Sequence, residues 1–237
     1  NTVTHIISLL CSTLKISKVY INYSPAELTN TNLPVSLPSQ SGYSVQGDRK
    51  MTHSLAKTYT AIGLMTGTSL DGIDAALIKT DGESYSETVG SVTLPYDPDL
   101  TAEIREYFGA KADPDGKIAR LEKQLTLASA DAVREVLFET GLNAQEIDIL
   151  GYHGQTITHD PDNGFTWQIG DGGLLAQQTG INVVNDFRQA DVKAGGQGAP
   201  FLCLYHRAKL SGLERPLAIL NIGGVANVTW VGESDSD

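Results

Sequence analysis

Apolar and polar positions change period several times along this chain, and each change marks an element. Tyr59–Met65 is an apolar run of strand length, Gly67-Thr68-Ser69-Leu70-Asp71-Gly72 is a polar turn, and Asp74–Thr80 is a second strand. Together they predict a β-hairpin with a glycine-rich tip. Asp81-Gly82-Glu83 is the next turn, and Thr88–Leu94 predicts a third strand ending at Pro95. A helix is expected from about Pro98, with Leu100, Ile104 and Tyr107 on one face. Between Lys117 and Thr140, Ile118, Leu121, Leu125, Ala128 and Ala132 recur at helical spacing. Gly141 stands where a terminating glycine belongs.

Ile147–Tyr152 reads as a buried strand leading into His153-Gly154-Gln155. A short helix (Leu174–Thr179), a strand (Ile181–Val184) and one loop holding Asn185 to Asp191 follow. The glycine-rich loop Gly195–Gly198 then opens into a helix from Pro200 to Leu210. Leu217–Asn221 and Val225–Val231 predict a last hairpin across Gly223-Gly224. Hairpins followed by alternating helix and strand predict an α/β domain whose sheet mixes antiparallel and parallel strands. A purely parallel doubly wound sheet would not open with adjacent strands joined by a short polar turn.

The first fifty residues have another texture. Positions 24–48 are rich in Ser, Pro, Asn and Gln without a period, and Ile6–Leu14 is too short to span a bilayer. Residues 1–50 are therefore expected to be a tail, disordered or not native to the fold. They carry a net +2, which leaves −13 for the remainder of a chain whose total is −11. That acidity argues against nucleic acid or an anionic membrane as partner. It leaves room for a phosphate ligand, which backbone amides and a metal ion can hold without net positive charge. With 41% hydrophobic and 19% charged residues, the 237-residue chain has the makeup of a globular protein. Cys11 and Cys203 form neither a disulfide framework nor a zinc set, and the apolar run around Cys203 predicts a core thiol.

Three segments can carry chemistry. In Gly67-Thr68-Ser69-Leu70-Asp71-Gly72-Ile73-Asp74, glycines permit close backbone approach and hydroxyls can bond phosphate oxygens. Asp71 and Asp74 are oxygen ligands suited to Mg²⁺. The lysine of a Walker loop is missing, and strands on both sides exclude a dinucleotide fingerprint. An ordinary hairpin turn accounts for the same residues. His153-Gly154-Gln155-Thr156 places an imidazole at a strand end, where it can bind a sugar hydroxyl, act as a base, or simply be a hydrogen-bonded structural residue. Asp186, Arg188 and Asp191 follow another strand, and Arg188 can fork a carboxylate or phosphate. A local Asp186–Arg188–Asp191 ion network is the equal alternative.

Taken in order, six blocks resemble the anhydro-N-acetylmuramic acid kinase family: Gly63–Asp74, Gly151–Ile157, Gln168-Ile169-Gly170, Asp186-Phe187-Arg188, Gly195–Pro200 and Leu220–Gly224. The resemblance runs from about Tyr59 to Val231. It implies an actin/Hsp70/hexokinase-like (ribonuclease H-like) lobe over residues 57–237, with the second lobe incomplete. It also implies ATP and Mg²⁺ as cofactors and a small-molecule sugar as partner, with no nucleic acid and no membrane. A homodimer stays open. The implied reaction opens the 1,6-anhydro ring and phosphorylates the sugar to N-acetylmuramic acid 6-phosphate, in cytoplasmic murein recycling. Carried over by position, Gly67, Thr68, Ser69, Leu70, Asp71, Gly72, Ile73 and Asp74 would form the ATP loop. His153, Gln155, Thr156, Asp186, Arg188 and Asp191 would be substrate-binding candidates. The resemblance places the catalytic aspartate in a Gly-Phe-Asp-x-Gly-Pro-Gly-Asn type segment, which this sequence does not contain and which is expected beyond Asp237. None of the residues up to Asp237 is therefore assigned as catalytic, and the expectation is a fragment with weak or no activity alone. A non-catalytic actin-like nucleotide- or sugar-binding module is the alternative.

Overall fold

The structure, a computed structural model, describes residues 57–83, 85–210, 212–222 and 226–234. The tail expected over residues 1–50, the Gly223-Gly224 tip and the last three residues, Asp235 to Asp237, lie outside the described residues. The lobe expected over residues 57–237 is accordingly described as far as Ser234, and the expectation attached to Asp237 falls outside it. Strands β1 (Tyr59–Thr66), β2 (Ile73–Thr80) and β3 (Ser86–Leu94) form an antiparallel meander. On the other side of β1, β4 (Ile149–Tyr152) pairs in parallel, and β7 (Val183–Asn185) pairs in parallel with β4. The sheet order is β3-β2-β1-β4-β7, so it is mixed, as the opening hairpins predicted. Two further hairpins stand outside it: β5 (Gln155–Asp160) with β6 (Phe165–Ile169), and β8 (Leu217–Ile222) with β9 (Ala226–Val231).

Alternation along β1 and β2 divides their side chains between two cores. Ile62, Leu64, Ala75 and Leu77 face one side. There they meet Ile104 of α1 (Pro98–Glu106), Leu121, Leu125 and Val133 of α2 (Lys117–Thr140), and Leu175 of α3 (Gly172–Thr179). Ala61 and Ile78 face the other side, against Tyr205 of α5 (Leu202–Lys209). Local signals set the helix bounds. Asp97 caps α1 by accepting the Asp99 N–H at 2.8 Å, with Pro98 in the first turn. At the end of α2, the N–H groups of Gly141 and Leu142 donate to the carbonyls of Phe138 and Leu137, and Gly141 takes φ +68°. That is the Schellman arrangement, which turns the chain toward β4.

The structure corrects the sequence reading at three places. β5–β6 was not expected: a register irregularity between Thr156 and Thr158 breaks the alternation that would have announced it. The stretch read as one loop after β7 contains a short helix, α4 (Gln189–Lys193), whose five residues are too few to display a helical period. Cys203 is exposed, not a core thiol: Tyr205, two residues further and so on the opposite side of α5, is the residue that packs against Ala61 and Ile78. Among the described residues no helix is long and apolar enough to cross a membrane.

The two-sided burial of this sheet fixes where substitutions matter. Leu125→Ala empties a site in the main core and is expected to cost about 2–5 kcal/mol in urea unfolding. Phe138, on the same helix but 79% exposed, should tolerate Ser within about 0.5 kcal/mol.

Candidate active site at the carboxyl ends of three strands

Leu64, Tyr152 and Asn185 lie side by side across β1, β4 and β7. These strands run in parallel, so the segments that follow leave the sheet at one edge. They are the loop from Gly67, the His153-Gly154 turn, and Asp186 onward. In open α/β sheets this edge, outside the strand carboxyl ends, is where ligands bind. The three motifs that the sequence singled out are thus brought to one place. Thr66 Oγ1 ties two of them by donating to the Gly154 carbonyl at 2.9 Å.

The first loop divides into anchors and exposed members. Leu70 and Ile73 are buried in the main core, and the Leu70 N–H closes the turn on the Gly67 carbonyl at 3.0 Å. Gly72 is packed against β3, since a Cβ there would lie 2.6 Å from the Leu94 carbonyl oxygen. Asp74 is buried on β2 and accepts from the Thr93 hydroxyl at 2.6 Å. Gly67, Thr68, Ser69 and Asp71 are the members of this loop that solvent reaches.

His153 is 5% exposed, and both ring nitrogens are engaged. Its Nε2 accepts from Arg188 Nε at 3.0 Å and Nη2 at 2.8 Å. A guanidinium can only donate, so the proton sits on Nδ1, which donates to the Gly154 carbonyl at 2.7 Å. Burial, reinforced by the Arg188 charge, pushes the imidazole down to about 4. His153 is therefore neutral at physiological pH and faces Arg188 rather than solvent. Gly154 takes φ +69°, and a Cβ there would run into the Ile169 carbonyl, which accounts for the glycine between His153 and Gln155.

Gln155 is fully buried, its Nε2 donating to the Thr156 carbonyl at 3.2 Å, while its Oε1 has no hydrogen-bond partner among the described residues. Thr156 is half-buried, with its hydroxyl 3.4 Å from Gln168 Nε2. Asp186 is exposed at φ +60°, a left-handed conformation uncommon outside glycine. Desolvation raises its carboxyl above the usual range, against the opposing pull of Lys193. Asp191 accepts the Gly198 N–H at 2.6 Å, and Arg188 Nη1 donates to the Gly198 carbonyl at 2.5 Å.

Polar residues of α2 supply support that the sequence reading did not anticipate. Glu122 accepts from the Gly170 N–H at 2.8 Å, Thr126 from the Asp171 N–H at 3.0 Å, and Ser129 lies 3.3 Å from the Tyr152 hydroxyl. Burial pushes Tyr152 up to about 12. The available signal was three polar residues at spacings of four and three beside the apolar stripe.

The family model described as anhydro-N-acetylmuramic acid kinase matches residues 59–235. The chain belongs to that family. Two relatives named anhydro-N-acetylmuramic acid kinase are each 50% identical. The one from Rhizorhabdus wittichii aligns over 75% of this chain and 50% of its own length. The one from Paramagnetospirillum magneticum aligns over 74% and 48%. This anhydro-N-acetylmuramic acid kinase family chain spans about half the length of the curated relatives it matches. YeaZ from Pseudomonas aeruginosa, a solved structure, aligns with 72% of this chain and 67% of its own at 13% identity, with a TM-score of 0.27. A likeness that shallow carries no argument about the fold.

The neutral His153 sets a pH dependence for this family member. The unfolded chain protonates the ring near 6.5, and the folded protein resists until about 4. Stability from this group is thus complete above 6.5 and is lost as pH falls through that window, by on the order of 3 kcal/mol. His159 and His206 are shifted in the same direction by burial, so the three effects add. Melting temperature should fall from pH 7 to pH 4, and less steeply in His153→Gln. Equal slopes in the two proteins would contradict a neutral buried imidazole.

Proposed function

We propose that this chain is part of an ATP-dependent kinase that opens and phosphorylates 1,6-anhydro-N-acetylmuramic acid, giving N-acetylmuramic acid 6-phosphate in murein recycling. The observation that carries the reading is the meeting of the Gly67, His153 and Asp186 segments at one sheet edge in a member of that family. In this reading residues 57–237 form part of an actin- or hexokinase-like lobe, and a mixed sheet of order β3-β2-β1-β4-β7 supports it. Location in the cytoplasm belongs to the same reading.

The donor set of the first loop fits a nucleotide. Thr68 and Ser69 offer hydroxyls beside Gly67, on a turn pinned by the buried Leu70 and Ile73. Bound there, ATP would supply the phosphoryl group and Mg²⁺ would spread the developing charge. Leu70, Gly72, Ile73 and Asp74 serve the loop by holding its shape, through core packing, the Leu94 carbonyl and Thr93. Asp71 and Asp186 are exposed carboxylates on this edge, suited to a hydrated Mg²⁺ or a sugar hydroxyl. Gln155 and Thr156 open β5: the fully buried Gln155 supports this edge from within, and the half-buried Thr156 offers its hydroxyl beside Gln168. The base that activates the attacking water lies, in this reading, beyond Asp237.

ADP release from ATP and Mg²⁺ with the anhydro sugar, measured on this chain and on a version extended along its reading frame past Asp237, tests the proposal. Turnover in the extended protein alone is the expected result. Turnover in the short chain would put the base here, with Asp186 and Asp191 the first residues to substitute. No turnover in either would sink the reading. Asp186 gives a second test, because left-handed backbone at a non-glycine residue costs roughly 1–3 kcal/mol, which a role for its carboxylate would offset. Asp186→Gly should keep or raise the melting temperature while sugar turnover by the extended protein falls at least about tenfold.

A further inference from the structure

We propose that His153 is a positioning residue that holds the glycine-rich loop Gly195–Pro200 in place through the Arg188 guanidinium, making that loop a fixed wall of the site. The substrate arm of this inference rests on the kinase reading above; its structural arm does not.

A continuous series of contacts links the end of β4 to the loop. The buried His153 imidazole takes two Arg188 N–H groups on Nε2, at 3.0 and 2.8 Å, and is itself fixed by the Gly154 carbonyl at 2.7 Å. The Arg188 guanidinium carbon lies 5.2 Å from the centre of the Phe201 ring, just beyond the loop. From this held position Nη1 reaches the Gly198 carbonyl at 2.5 Å. The Gly198 N–H goes to Asp191 Oδ2 at 2.6 Å. Both backbone polar groups of this buried loop residue are thus taken by side chains of the α4 segment. Gly198 also sits at φ +63°, and a Cβ there would come within 2.7 Å of Val192 Cγ2, so the loop fits against α4 only with glycine at that point.

The loop is tied from its far side as well. Gln197 Nε2 reaches Asp162 of the hairpin tip at 3.5 Å. Of these ties, the one through His153 connects to the parallel strands. An imidazole suits the task because it supplies a lone pair without a negative charge. This contact orients Arg188 without cancelling its positive charge, which leaves a field that favours an acidic sugar or a phosphate beside the loop. A carboxylate at 153 would orient the same guanidinium but neutralise it.

The test uses His153→Leu, which keeps bulk and removes the acceptor, and His153→Gln, whose side-chain carbonyl can accept from Arg188. Amide hydrogen exchange reads the loop directly. His153→Leu should speed exchange at Gly198 by about tenfold, the worth of one such bond, and His153→Gln should restore protection. In the extended protein, KM for the anhydro sugar should rise by about tenfold in His153→Leu with kcat within about threefold, again rescued by Gln. Unchanged exchange at Gly198 in a folded His153→Leu protein would overturn the proposal, as would failure of Gln to restore it. If His153→Leu does not fold, Arg188→Gln replaces it. Faster exchange at Gly198 in that variant supports the linkage and unchanged exchange overturns it. Should the wild-type extended protein fail to turn over the sugar, the kinase reading falls while the exchange data still decide the role of His153.

Discussion

The parallel insertion of β4 between β1 and β7 is the constraint on which the candidate site depends. β1 to β3 could form a meander by themselves, but their single glycine-rich turn would face nothing. Pairing Leu64 with Tyr152, and Tyr152 with Asn185, sets three chain exits at one level. Everything at the site then follows from what comes next in each segment: hydroxyls and glycines after β1, an imidazole after β4, a carboxylate and a guanidinium after β7. The burial that secures this pairing is two-sided, so β1 and β2 must be apolar on both faces.

Several residues that look like ligands by type act as struts by position. Asp74 is spent on Thr93, Asp191 on the Gly198 amide, and His153 on Arg188. Burying a polar group is costly unless it is hydrogen-bonded, so each strut also shows how the loop beside it is fixed. The surface left to a ligand is correspondingly narrow: the outward part of the first loop, the exposed Asp186 and the wall of the β5–β6 hairpin. A rigid frame carrying a few outward groups is what a site that works by orientation requires.

Much of this was legible in the residues. The bounds of α2 followed from its period and from Gly141, and the first three strands from apolar runs broken by glycine-bearing turns. What escaped had physical reasons. The β5–β6 hairpin carries Thr, Gln and His on one face and slips register at Ile157, so neither alternation nor hydrophobicity marked it. The pairing of His153 with Arg188 spans thirty-five positions and leaves no local signature. The chain's resemblance to its family treated Gly67–Asp74 as one block, and it could not separate Thr68 and Ser69, which solvent reaches, from Leu70 and Ile73, which anchor them. That distinction belongs to packing, and only three dimensions supply it.

The same insertion of β4 has a bearing on how the chain acquires its shape. The meander closes over turns of a few residues, whereas the bond from Thr66 to Gly154 joins positions 88 apart. Loop-closure entropy favours the near contacts, so the Gly67–Gly72 turn can form while the remainder is still open. The edge of β1 then waits, unpaired, for a strand that lies beyond two helices. In a chain made from its amino end this leaves an exposed strand edge during synthesis, and the four-residue β4 is what eventually seals it.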